Sequence, residues 1–122
     1  MMDDAIKVNE ATGEVLVKIA GEEYRLKATF RNLAEYQART AVIGLTMLHI
    51  HINQADARAL FQGMKCLCIS GNADKLDDIN PIAWLAEIQG AIIKAITWGL
   101  PTVEDATAGK ELGTTDLTAA MN

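Results

Sequence analysis

GEVLVKIAGEEYRLKATFRNLAEYQ, Gly13–Gln37, decides the fold, because its periodicity changes partway along. Val15, Val17 and Ile19 alternate with Leu16 and Lys18. Tyr24, Leu26, Ala28 and Phe30 alternate with Arg25, Lys27 and Thr29. A period of two puts each set on one face of a strand. Gly21 lies between the runs and supplies a tight turn, so the segment predicts a β-hairpin continuing to Phe30. A shorter strand, AIKVN, is expected ahead of it, joined through EATGE with Gly13 in the turn. Two or three strands with one apolar face need a cover.

From Asn32 the step becomes three and four. Leu33, Tyr36, Thr40, Ile43, Met47 and Ile50 form a helical stripe. Gly44 and the β-branched residues near it predict either one bent helix or two short ones. Asn53 is a good N-cap for QADARALFQGMKCLCI, with Asp56 at the third helical position. In this helix Leu60, Phe61, Met64, Leu67 and Cys68 make the apolar stripe. SGNAD breaks it. Pro81 suits the first turn of a last helix running to about Trp98, which GLP ends. The expected fold class is therefore α+β: an N-terminal hairpin of two or three antiparallel strands on a small helical domain of three to four helices. One domain is expected over residues 1–100, with strands in 5–30 and helices in 31–100. A loose tail is expected over 101–122.

The chain has 122 residues, half of them hydrophobic, which suffices for a core. Only 5% are aromatic, so that core must be aliphatic. The net charge of −5 disfavours nucleic acid and anionic membranes as partners. MMDDAIKVNE has no basic region before an apolar run, so no secretory signal is expected. Glu87, Gln89 and Lys94 would be costly in lipid, so the apolar Pro81–Leu100 stretch is not expected to span a membrane.

His49, His51, Cys66 and Cys68 make a common zinc ligand set. Residues two apart on a helix point about 200° apart. Cys66 and Cys68 therefore cannot both face one ion on a helix. Cys68 is expected in the core, with Cys66 pointing elsewhere. The histidines share a face only if HIHI is extended, with Ile50 and Ile52 inward. No metal and no cofactor are expected. DKLDDIN lacks the ligand positions of an EF-hand loop. No glycine-rich phosphate loop and no nucleophile with its base stands out, so no enzyme is expected.

The positive signal is surplus apolar helix surface. Between Ile82 and Trp98 only Glu87, Gln89, Lys94 and Thr97 are polar. Trp84, Ile88, Ala91, Ala95 and Trp98 form one row, with Leu85, Ile92 and Ile96 beside it. Such a helix is either buried on two sides or covered on one row by another protein. Under the second reading Trp84, Ile88, Ile92 and Trp98 are the candidate partner-binding residues, and self-association is expected.

GEEYRLKATFRNLAEYQ, ADARALFQGMKC and AIIKAITWGL together make a hairpin, a small helical domain and an Ala-rich helix ending in TWGLP. This layout, over about Gly13 to Pro101, resembles the tail assembly chaperones of long-tailed phages and the related small proteins of gene transfer agents. The HIH and CLC pairs depart from it. The resemblance implies a non-enzymatic factor in the bacterial host cytoplasm, absent from the mature virion. Such a factor binds the tape measure protein, helps recruit tail tube protein, and self-associates. The rival expectations are another phage tail or connector subunit, and a small His/Cys metal-binding regulator.

Overall fold

The computed structural model describes residues 6–98. Strand β2 (Val15–Ile19) pairs with β3 (Glu22–Leu26) through Ile19↔Glu22, Val17↔Tyr24 and Val15↔Leu26. The two residues between them, Ala20 at φ 52° and Gly21 at φ 83°, lie in the left-handed region. Two-residue hairpins need that conformation to match the strand twist. The register brings Val15, Val17, Ile19, Tyr24 and Leu26 to one face, where each is at most 1% exposed. Strand β1 (Ile6–Val8) pairs antiparallel with β2, as the AIKVN reading expects.

The strand stops earlier than its alternation suggests. The Lys27 N–H turns away to the Leu67 carbonyl, and Thr29 caps α1 (Phe30–Thr40) by accepting from the Asn32 N–H at 3.1 Å. Phe30 is therefore the first residue of a helix, 96% exposed, and not an inward strand residue.

The long stripe beyond it divides into two helices. Ala41, at φ 58°, ends α1, and Gly44, at φ 86°, precedes α2 (Leu45–Asn53). Tyr36 and Thr40 stay buried, but the reversal turns α2 so that Leu48 and Ile52 face inward. Ile43, Met47 and Ile50 are left outside.

Asp56, and not Asn53, caps α3 (Ala57–Leu67), accepting from the N–H groups of Arg58 and Ala59. Asn53 is the last residue of α2. Helix α3 ends at Leu67, and the chain continues as a fourth strand, β4 (Cys68–Ser70), against β3. The antiparallel sheet has the order β1-β2-β3-β4. This strand lies inside 31–100, which the sequence reading assigned wholly to helices. A 3-10 helix (Ala73–Asp78) and a turn at Pro81 lead to α4 (Leu85–Thr97).

Helix α4 covers the inner face of the sheet, touching β1, β2 and β3, and meets α2 and α3 on its other side. Helix α1 packs on α3. The fold is α+β, as expected. The tail expected over 101–122 lies outside the described residues.

Candidate docking site

An apolar cleft of about 270 Å³ opens between α3, the 3-10 helix and the approach to α4. Ala57, Leu60, Phe61 and Met64 form its α3 wall, at the i, i+3, i+4 and i+7 spacing of one helix face. Leu76, Ile79, Pro81 and Ile88 close the other side, and Asp77 is its charged lining residue. The Asp77 carboxylate binds the Lys65 ammonium at 3.0 Å, and that ammonium sits 4.9 Å over the Phe61 ring. Ile82, next to the lining, is 69% exposed.

Local hydrogen bonds hold the irregular wall. The Asn72 side chain accepts from the Asp74 N–H and that of Asn80 from the Ile82 N–H. Glu22 of β3 reaches across to take the Asn72 N–H and the Lys75 ammonium, each at 3.1 Å. The Lys75 hydrogen bond, helped by that N–H, holds the Glu22 carboxyl below the usual carboxylate range. Asp74 and Asp78 are exposed and form no ion pair among the described residues, leaving this rim acidic.

The candidate partner row on α4 is corrected at Ile88 and Ile92 by their surroundings. Ile92 is 0% and Ile88 4% exposed, because the sheet and the other helices cover α4 from two sides. Ile92 belongs to the core alone, whereas Ile88 also reaches the cleft wall. Trp84 is half-buried against the core. Trp98 is 42% exposed, but its indole N–H donates to the Glu10 carbonyl and its ring lies on Gly13. Trp98 thereby ties the end of α4 to the β1–β2 turn. The stripe of Leu60, Phe61 and Met64 was visible in the sequence, and Leu60 and Met64, 2% and 1% exposed, are core residues that also floor the cleft, while Phe61 is 37% exposed at its edge. Ile79, Pro81 and Ile82 gave the better signal: apolar residues in a non-periodic connection between helices.

The His and Cys residues do not converge. His51 Nδ1 pairs with Asp56 Oδ2 at 3.1 Å, and this contact, with the two capping N–H groups, lowers the Asp56 pKa. His49, two residues earlier on helical α2, is directed elsewhere. Cys66 is the buried cysteine and Cys68 the half-buried one, the reverse of the expectation, because α3 ends between them. Burial pushes both thiols up, which disfavours the thiolate needed for attack or metal binding. Among the described residues no group of three or more His, Cys, Asp or Glu side chains is placed to hold a metal ion.

Cys66→Ala is expected to cost about 1 kcal/mol for the lost buried sulfur. Cys68→Ser, which keeps a donor toward the Ser70 carbonyl, should cost less. Urea titration of each variant checks this ranking, and equal midpoints would refute it.

No helix among the described residues is long and apolar enough to cross a membrane. No family model, curated protein or solved structure matches the chain.

Proposed function

We propose that this protein is a non-enzymatic assembly chaperone of the phage tail type, which holds an apolar helix of the tape measure protein in the cleft beside α3. The observation that carries the reading is the cleft itself. Its lining is almost wholly aliphatic and aromatic, and it opens to solvent. Its 270 Å³ lies just below the range of small-molecule sites, and suits two or three side chains from one face of a helix. The exposed Asp74 and Asp78 beside it favour basic residues flanking that helix. The layout of hairpin, helices and terminal TWGLP, through its likeness to tail assembly chaperones, supplies the identity of the partner. On this reading the protein works in the bacterial host cytoplasm, recruits tail tube protein to the bound tape measure, and is absent from the finished virion.

Co-expression tests it. The protein should raise the soluble yield of the tape measure protein and co-purify with it. Ala57→Glu puts a carboxylate on the cleft wall at the exposed first residue of α3, where an acid suits the helix dipole. The variant should fold normally and lose most of the co-purifying partner. Tape measure protein that stays insoluble with the unmodified chain, or binds Ala57→Glu equally well, would overturn the reading. Finding the protein at stoichiometric level in purified virions would instead favour a structural tail subunit.

A further inference from the structure

We propose that residues 100–105, LPTVED, dock back into a groove beside Trp98 and clasp the β1–β2 turn to the helices. This groove is separate from the cleft beside α3, and the inference does not rest on what that cleft holds. It measures about 200 Å³ and lies between the β1–β2 turn, the start of α1 and the C-terminal end of α4. Ala28, Leu33, Ile96 and the Trp98 ring give it an apolar lining. Lys27 is its one charged lining residue. That side chain is half-buried and forms no ion pair among the described residues. An apolar slot with one uncommitted cation fits an aliphatic segment followed by an acid.

Position selects the occupant. Trp98 is itself a wall of the groove, and its backbone has left the helix, at φ −58° and ψ 135°. The residues that follow therefore start at the groove's edge. Pro101 disfavours helical backbone at Leu100, so α4 has no continuation that would carry the chain away. Leu100 stands two positions past Trp98 and Val103 five. At about 3.3 Å per extended residue, both reach the groove. A segment tethered so closely has an effective concentration on the order of millimolar, so a free apolar peptide at a micromolar level loses to it. Charge agrees with position. Residues 6–98 carry ten basic and ten acidic side chains, so the net charge of −5 comes from the two ends. Glu104 and Asp105 are the first acids beyond α4, directly after Val103, where Lys27 can meet them. A filled groove would also shield the exposed 3.2 Å bond from the Trp98 indole N–H to the Glu10 carbonyl.

Nuclear magnetic resonance of the isotope-labelled full chain tests this. Nuclear Overhauser contacts should join the methyl groups of Leu100 and Val103 to those of Leu33 and Ile96. An isotope-filtered mixture of labelled and unlabelled chains should place those contacts within one copy. In Leu100→Ser/Val103→Ser the contacts should vanish, and the Trp98 indole proton should exchange with solvent severalfold faster, while the resonances of Met64 and Ile79 in the α3 cleft stay in place. Lys27→Glu should weaken the contacts, and adding Glu104→Lys/Asp105→Lys to the same chain should restore them. If Lys27→Glu fails to fold, Glu104→Lys/Asp105→Lys alone, which alters no residue of the groove, should give the same weakening. An unmodified chain without these contacts would overturn the proposal. So would contacts found only between copies, or contacts indifferent to the charge reversals.

Discussion

Leu26→Asp should leave the chain largely unfolded at room temperature. Leu26 is fully buried at the end of β3, opposite Val15. The substitution removes an aliphatic contribution of about 2–3 kcal/mol. It also places a carboxylate in the core without a partner, at a further cost of several kcal/mol unless it is protonated. Together these approach or exceed the ~5–15 kcal/mol of a typical domain. Arg25→Asp is the paired control. Arg25 points to the other face, half exposed, and reaches Glu14 at 3.5 Å. Turning that contact into a like-charge pair should cost under about 1 kcal/mol. Thermal melts followed by circular dichroism read both. Similar melting temperatures for the two variants would refute the strand register.

Gly63→Val should destabilise by about 3 kcal/mol or more. A Cβ at Gly63 would stand 2.6 Å from the Tyr36 hydroxyl oxygen and 2.8 Å from Ile92 Cδ1. The Tyr36 ring is fully buried, and its hydroxyl donates to the Ala59 carbonyl, so it cannot swing aside without losing that bond. Burial also pushes the Tyr36 pKa far up, so the hydroxyl stays a donor at any ordinary pH. Overpacking of this kind costs about 1–3 kcal/mol, and the displaced buried hydrogen bond adds about 1 more. Gly63→Ala should fall between, since better helix propensity offsets part of the clash. Gly90→Ala sets the contrast. Its Cβ would meet only Ile6 Cδ1, at 2.7 Å, the tip of a flexible and partly exposed side chain. That variant should be neutral or slightly stabilised. Equal losses at the two glycines, measured by urea unfolding, would show that helix propensity and not the contact with Tyr36 governs Gly63.

The hairpin was legible because its alternation and Gly21 are local signals, and the core residues of β2 and β3 followed from them up to Leu26. Beyond Leu26 the alternation continued in the sequence while the structure changed, because the Lys27 N–H is claimed by Leu67, 40 positions later. Strand β4 was hidden for a related reason. Cys68–Ser70 follows a helix without glycine or proline between, and only the neighbouring edge of β3 makes it extended. That edge also exchanged the roles of Cys66 and Cys68. Asn53 and Asp56 are equally good caps on paper. The left-handed turn at Ala55 decides between them by ending α2 first. The wide apolar circumference of α4 was read correctly as a pattern. Whether it was a central helix or an interface depended on the sheet folding beneath it, which no local signal states. The cleft was least legible, since its walls come from three separate segments.

The cover of the sheet comes late in the chain. Leu85, the first residue of α4, follows Leu26 by 59 positions, 85 minus 26. At a synthesis rate of about 5–20 residues per second, the ribosome needs roughly 3–12 s to make that interval. Throughout it the apolar face of β1, β2 and β3 has no α4 to lie under, and Gly13 has no indole to close on it. The nascent hairpin is therefore an aggregation-prone species awaiting its own C-terminal half. Pairings between distant positions such as Trp98 and Glu10 also raise the contact order and slow the final step. A chain ending before α4 would leave the inner face of the sheet without that cover, exposing it to aggregation and proteolysis.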